Sequence, residues 1–163
     1  MTSIPILDLT TQYRSIQADI ESAVLEVLRS GRYIKGAKVA QLEQELAAYI
    51  EVPQCIACNS GTDALYLALR ALDIGPGDEV ITSPFTFIAT AEVISALGAT
   101  PVFVDIDEAT LNIDLTKIPA AITERTRAII PVHLFGNPVN MVELMAIANT
   151  YQLWVIEDCA QAI

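Results

Sequence analysis

The chain has 163 residues, of which 53% are hydrophobic and 6% aromatic, so it can bury one sizeable aliphatic core. Twenty acidic residues against nine basic ones give it a formal net charge of −11 at pH 7. Such a field repels nucleic acids and anionic membrane surfaces, and we expect neither as a partner. Three cysteines, and no basic leader in the first residues, predict a cytoplasmic protein without a disulfide framework.

A helical segment is predicted over residues 1–53. Its first helix carries apolar residues on one face from residue 16 to residue 28 and ends at Gly31. Its second helix repeats the pattern over residues 39–50 and ends before Pro53. We therefore expect a unit of two helices ahead of the rest of the chain.

From residue 54 to residue 163, short apolar runs alternate with helical patterns. Strands are predicted over residues 55–58, 79–83, 101–104, 128–132 and 154–156. Helices are predicted between them over residues 62–72, 87–97, 116–122 and 141–151. Residues 81–104 carry a single charge, Glu92, but Pro84, Gly98 and Pro101 interrupt this stretch, and it is not expected to span a membrane. The alternation predicts an α/β fold with a mostly parallel sheet and helices on both faces.

The segment NSGTDAL, residues 59–65, lies between the first predicted strand and its helix. Ser60 or Thr62 can cap the helix, and Gly61 lets another backbone or a ligand approach closely. The free N–H groups and the positive end of the helix dipole would suit a phosphate. Taken alone, the motif is better interpreted as an ordinary helix cap without a ligand.

Cys55 and Cys58 have the CxxC spacing found in redox and metal motifs. No second cysteine pair accompanies them and the chain has one histidine, so we predict no metal site. We expect the two cysteines to be small hydrophobic residues in a buried strand.

Three further residues follow predicted strands. Phe85 and Phe87 come after the second strand, where an aromatic ring can stack on a flat ligand or pack in the core; core packing is the expectation for Phe85. His133 follows the fourth strand, where a role in a site and a role in helix capping or loop bonding are about equally expected.

Asp158 belongs to the segment EDCAQ, residues 157–161, directly after the last predicted strand. Ligands of open α/β sheets bind beyond the carboxyl ends of the strands, so this carboxylate is placed to meet one. It can pair with a cationic nitrogen of a ligand, or it can cap a following helix.

Together these segments resemble the DegT/DnrJ/StrS family of pyridoxal-phosphate (PLP) sugar aminotransferases. The resemblance covers nearly the whole chain and rests on residues 5–9, 12–13, 30–36, 60–65, 77–81, 86–90, 132–136 and 157–161. It implies the large domain of a fold type I PLP transferase over residues 54–163.

The resemblance also implies roles for individual residues. Gly61 and Thr62 would hold the cofactor phosphate at the helix N-terminus. Phe87 would stack on the pyridine ring, Asp158 would pair with the pyridine nitrogen, and Gln161 would bond the phenolic oxygen.

The implied reaction moves an amino group from an amino acid, usually glutamate, to a keto-sugar nucleotide, in the biosynthesis of amino sugars or cell-surface polysaccharides. Tyr33 and Lys35 resemble a segment near the sugar-nucleotide site, where Lys35 could meet the diphosphate. The family's active sites form between subunits, so a homodimer is expected for a full-length protein.

In the family, a Schiff-base lysine follows the EDCAQ segment, whereas this sequence ends at Ile163. The resemblance thus implies a truncated large domain without the small C-terminal domain, and a chain that is inactive by itself. Two alternatives stay open. One is a related PLP-dependent sugar dehydratase in which histidine replaces the lysine, and the other is a non-catalytic PLP-binding remnant.

Overall fold

The computed structural model describes residues 6–163, which divide into two compact units between Ala57 and Cys58. We call them the N-terminal unit and the C-terminal unit. Pro5, the first residue of one of the family-like segments, lies outside the described residues.

The N-terminal unit contains three helices, α1 (Leu9–Ser15), α2 (Gln17–Ser30) and α3 (Ala37–Tyr49). The end of α2 at Gly31 is confirmed: this glycine adopts a left-handed conformation with φ of 64°. The prediction of only two helices is wrong, because Asp8 starts an additional one by accepting the N–H of Thr11 at 3.0 Å.

The C-terminal unit is built on four strands: β1 (Glu79–Thr82), β2 (Thr100–Phe103), β3 (Thr126–Ile130) and β4 (Trp154–Val155). They form one parallel sheet in the order β2-β1-β3-β4. Four helices accompany them: α4 (Gly61–Ala71), α5 (Ala89–Ala96), α6 (Ile118–Ala121) and α7 (Met141–Tyr151). The predicted α/β fold with a parallel sheet is confirmed.

Two apolar clusters cover the two faces of this sheet. In β1 the neighbours Val80 and Ile81 belong to different clusters, because successive side chains of a strand point to opposite faces. Val80 shares its cluster with residues of α4 and α5, whereas Ile81 shares the other with residues of α6 and α7. The helices therefore lie on both faces, as crossovers between parallel strands require.

The predicted strand at residues 55–58 is absent from the described chain. The N–H of Ala57 donates to a side chain, Glu43 Oε1, at 2.8 Å, rather than to a neighbouring strand. Cys58 is exposed and Cys55 is half-buried, so the expected pair of buried cysteines is wrong as well. All three cysteines of the chain are free thiols.

The backbone connects the sheet to the segment that follows β4. Asp158 N–H donates to the carbonyl of Pro131 at 2.9 Å, and His133 N–H donates to the carbonyl of Asp158 at 3.1 Å. These bonds extend the pairing of β3 and β4 by one bridge, between Val132 and Asp158. Asp158 is thereby held at the carboxyl edge of the sheet. Within residues 6–163 there is no helix with the length and apolar character to cross a membrane.

Candidate functional site

A cavity of about 520 Å³ opens in the C-terminal unit at the carboxyl edge of the sheet. Its walls come from three segments: the first turn of α4, residues 87–90 and residues 157–160. Of the residues predicted for the cofactor, the structure brings Gly61, Thr62, Phe87 and Asp158 to this one cavity. This is the edge where ligands of parallel sheets bind.

The start of α4 presents unpaired N–H groups to the cavity. Ser60 is the N-cap, and its Oγ accepts the N–H of Asp63 at 3.1 Å. Within residues 6–163, the N–H groups of Gly61 and Thr62 find no acceptor. A Cβ added to Gly61 would meet no atom of another segment within 4 Å, so the start of α4 is open on the side where that Cβ would lie.

Asp158 is only 8% exposed. Protein groups supply some of the hydrogen bonds that its carboxylate can accept. Oδ2 accepts the hydroxyl of Thr90 at 2.8 Å, and Oδ1 accepts the N–H of Ala160 at 3.2 Å. Residues 159–163 form no helix, so within the described chain Asp158 caps none. The bond to Ala160 closes a local turn instead.

No Lys, Arg or His side chain in the described part of the protein pairs with the Asp158 carboxylate. A buried carboxylate without a counter-charge is costly, and the cost falls when a donor or a cation completes its shell. Since Asp158 lines the cavity, the geometry favours a ligand that presents a cationic N–H there.

Phe87 is 75% exposed and lines the cavity, so the face of its ring is available to a planar ligand. Phe85 is also exposed rather than packed in the core, which makes the expectation for it wrong. The Phe85 ring meets the ring of Phe135 edge-on, with centroids 6.5 Å apart.

Gln161 is not among the residues that line the cavity. Its Oε1 accepts the N–H of Phe135 at 2.8 Å. Phe135 has a positive φ of 56°, a conformation that is strained for an aromatic residue. Because the oxygen of the Gln161 amide is engaged, its NH₂ group is the end that remains to donate to a ligand.

His133 is 4% exposed, and both ring nitrogens have partners. Nδ1 accepts the N–H of Val139 at 3.1 Å, so the proton of the neutral ring is on Nε2. Nε2 therefore donates to Glu157 Oε2, 2.8 Å away. Of the two roles expected for His133, the structure has loop bonding.

The side chains of His133, Glu157 and Cys159 bring one possible metal ligand each within 4.8 Å of one another. The tautomer of His133 leaves Nε2 without a lone pair for a metal ion. Burial raises the pKa of the Cys159 thiol above its ordinary value of 9.0, and the charges of Glu157 and Asp158 add to the effect. A protonated thiol is a weaker metal ligand and a weaker nucleophile than a thiolate, so we place no metal at this cluster.

Tyr33 and Lys35 line a different cavity, of about 510 Å³, within the N-terminal unit. The loop between α2 and α3 forms most of its wall. Tyr33 is exposed, and its hydroxyl donates to the carbonyl of Leu28 at 3.3 Å. Both residues are accessible to a ligand of the N-terminal unit.

A model of the DegT/DnrJ/EryC1/StrS aminotransferase family matches residues 14–163. The chain belongs to this family. Aminotransferases of the family use pyridoxal 5′-phosphate, and solved structures that resemble the chain include PLP and pyridoxamine-phosphate (PMP) forms. The resemblance seen in the sequence, and the cofactor that it implied for the family, are thus confirmed.

Among curated proteins, UDP-N-acetyl-3-dehydro-alpha-D-glucosamine 3-aminotransferase of Acidithiobacillus ferrooxidans is 51% identical over 162 residues, 99% of this chain and 44% of that protein. Other similar proteins are named as transaminases of dTDP-linked sugars. The chain spans less than half the length of these relatives.

Two solved structures show the same fold. DesV of S. venezuelae, determined with a ketimine intermediate, has 46% identity and a TM-score of 0.97, over 99% of this chain and 44% of that one. NtdA of Bacillus subtilis with bound PMP has 40% identity and a TM-score of 0.95, over 100% of this chain and 38% of that one.

Proposed function

We propose that the C-terminal unit is the PLP-binding part of a sugar-nucleotide aminotransferase. The observation that carries this proposal is Asp158, a nearly buried carboxylate without a counter-charge in residues 6–163, on the wall of a cavity. The same cavity also offers a site for an anion, formed by the free N–H groups of Gly61 and Thr62. A ligand with a cationic nitrogen at one end and a phosphate at the other satisfies both.

Two further side chains, Phe87 on the cavity wall and Gln161 outside the cavity lining, have the chemistry that the same cofactor requires. The exposed face of Phe87 is suited to the pyridine ring, and the free amide NH₂ of Gln161 is suited to the phenolic oxygen. The bond from Phe135 to Oε1 supports this orientation of Gln161, because it leaves only donors at the free end. The donors, the acceptor and the aromatic face therefore match the cofactor's groups in kind.

When bound, PLP supplies an electron sink for the bond that breaks at the amino-acid substrate. In our proposal Asp158 keeps a proton on the pyridine nitrogen, since a carboxylate favours the charged form of that nitrogen. The first turn of α4 offsets the charge of the phosphate, and Phe87 excludes water from one face of the ring.

The substrate class follows from the relatives, which are named for UDP- and dTDP-linked sugars. We propose a keto-sugar nucleotide as amino acceptor and glutamate as donor, with Lys35 and Tyr33 near the nucleotide diphosphate. The cation and the aromatic ring in the cavity of the N-terminal unit support that role for them. The homodimer, the cytoplasmic location and a role in polysaccharide or amino-sugar biosynthesis stay predictions from the family.

We also propose that the chain by itself does not transaminate. None of its three lysines lines the cavity of the C-terminal unit. Lys38 pairs with Glu26 at 2.9 Å and Lys117 pairs with Asp114 at 3.0 Å. After loading with PLP and reduction with borohydride, we expect a mass spectrum without a lysine adduct at the cofactor site.

To test the site, the purified chain is titrated with PLP, and binding is measured from the change in the cofactor's absorbance. Asp158→Asn should weaken binding roughly tenfold, because it removes a charge-assisted hydrogen bond. Asp73→Asn is the matched control: it makes the same change at an exposed position whose positive φ suits asparagine. Equal affinity of Asp158→Asn and wild-type chain, with both folded by circular dichroism, would contradict the proposal.

A further inference from the structure

A pair of threonines is hydrogen-bonded in series to the carboxylate of Asp158. Thr90, on the first turn of α5, is completely buried, and its hydroxyl is 2.8 Å from Asp158 Oδ2. The hydroxyl of Thr86 is 3.0 Å from the hydroxyl of Thr90. Valine would fill the same volume at position 90, so a hydroxyl there is explained by the hydrogen bonds that it makes.

The direction of these bonds follows from counting hydrogens. A carboxylate can only accept, so Thr90 gives its single hydroxyl hydrogen to Asp158. In the bond between the two threonines Thr90 must then accept, and Thr86 must donate. The two hydroxyls form a relay that ends on Oδ2 of Asp158.

We propose that Thr90, supported by Thr86, is a positioning residue for the cofactor's pyridine nitrogen, acting through Asp158; this rests on the proposed function. Oδ1 is held by the N–H of Ala160 and Oδ2 by Thr90, so the plane of the carboxylate is fixed from two directions. The lone pairs that remain are the ones available to the cavity. Without Thr90 the carboxylate can rotate, and the ring nitrogen loses a partner of defined direction.

The experiment compares two cofactors on the same chain: PLP, and the PLP analogue in which carbon replaces the ring nitrogen. Thr90→Val should weaken binding of PLP about tenfold, the size expected for a hydrogen bond to a charged group. The same variant should bind the carbon analogue as wild type does, because that ligand has no nitrogen for Asp158 to meet. If the substitution merely damaged the fold, it would weaken the binding of both ligands alike.

Three further variants complete the design. Thr90→Ser keeps a hydroxyl at this position and should retain most of the wild-type affinity for PLP. Thr86→Val should lower the affinity for PLP less than Thr90→Val does. Thr150→Val is the control, since it removes an exposed hydroxyl that bonds only its own helix, at the carbonyl of Ala146. In an Asp158→Asn background, Thr90→Val should have little additional effect on PLP.

The outcomes separate the two proposals. If wild type binds PLP and Asp158→Asn weakens it, but Thr90→Val binds PLP as wild type does, the relay has no positioning role and this inference fails alone. The inference would also fail if Thr90→Val weakened the binding of PLP and the binding of the carbon analogue equally. A wild-type chain that binds no PLP, or an Asp158→Asn variant that binds normally, overturns both proposals.

Discussion

Glu79 and Asp158 are buried carboxylates near opposite ends of the parallel sheet, and the protein satisfies them differently. Glu79, 5% exposed at the start of β1, accepts the hydroxyl of Thr123 at 2.5 Å and the Nε–H of Arg125 at 3.0 Å. Asp158 accepts only neutral donors from the described chain. Complete internal pairing is typical of a structural carboxylate, whereas partial pairing beside a cavity is typical of a binding group.

The pairing of Glu79 has a consequence for acid stability. The hydrogen bond from Thr123, and then the bond and charge of Arg125, hold the pKa of Glu79 below its ordinary value of 4.5. A depressed pKa contributes stability at neutral pH, and this contribution is lost as the pH falls below 4.5 through the folded-state value.

We therefore expect Glu79→Gln to lower the melting temperature at pH 7, and the difference from wild type to narrow between about pH 4.5 and pH 3. Melting curves followed by circular dichroism across this range would measure it. Glu124→Gln, at an exposed position in the same turn region, should show little difference at either pH. If the difference in melting temperature between Glu79→Gln and wild type stayed constant down to pH 3, this account of Glu79 would be contradicted.

At the scale of single elements, α4 carries the clearest link between local sequence and binding. Ser60 caps it in an extended conformation, and this leaves the next two N–H groups free. Helix α7 begins in the same way, with Asn140 accepting the N–H of Glu143 at 3.3 Å. The caps are similar, but only α4 begins at the cavity that holds Asp158.

Gly61 offers a test in which stability and binding should separate. A Cβ at this position meets no protein atom within 4 Å, so Gly61→Ala should change the free energy of unfolding by less than about 1 kcal/mol. The same methyl group would occupy the space in front of the α4 N-terminus and should weaken PLP binding. Denaturant unfolding and the PLP titration would measure the two effects.

Gly75→Ala is the control for that experiment. Its added Cβ would lie 3.9 Å from the carbonyl of Leu97, an ordinary contact, and Gly75 is not at the cavity. It should leave both stability and PLP binding nearly unchanged. If Gly61→Ala binds PLP as well as Gly75→Ala does, the space in front of Gly61 is not the phosphate site.

At the scale of the whole molecule, the two units differ in how much apolar surface each buries. Among residues 6–163, every buried apolar side chain lies between Leu65 and Ala148, in the C-terminal unit. Helices α1, α2 and α3 contain no buried residue. Since burial of apolar surface is the main stabilising contribution, the C-terminal unit should hold most of the chain's stability.

Hydrogen exchange should show this contrast directly. We expect amides of α1–α3 to exchange far faster than those of β1 and β3, because local opening is easy where few apolar contacts must break. Mass spectrometry of peptides from the exchanged chain would resolve the two units. Equal protection of α2 and β3 would show that the N-terminal unit is stabilised by contacts other than buried apolar side chains.

Features set by near neighbours in the chain could be predicted from the sequence. The bounds of α7, residues 141–151, agree with the prediction, because an apolar period of 3.6 is a local signal. Helix α1 was missed because LTTQYRS has no apolar stripe, and its only signal was the cap at Asp8. The strand predicted at residues 55–58 failed because four apolar residues do not reveal whether a partner strand is present.

The sequence by itself determined the fold class, the order of strands and helices from β1 onward, and the motifs that identify the family. Those depend on periodicity, caps and spacing, which short segments carry alone. Only the tertiary structure decided which groups meet at Asp158. Thr90 is separated from it by 68 residues, and the orientation of Gln161 depends on a backbone N–H 26 residues away. Such bonds exist only after the sheet has brought the carboxyl ends of its strands together, so no local pattern encodes them.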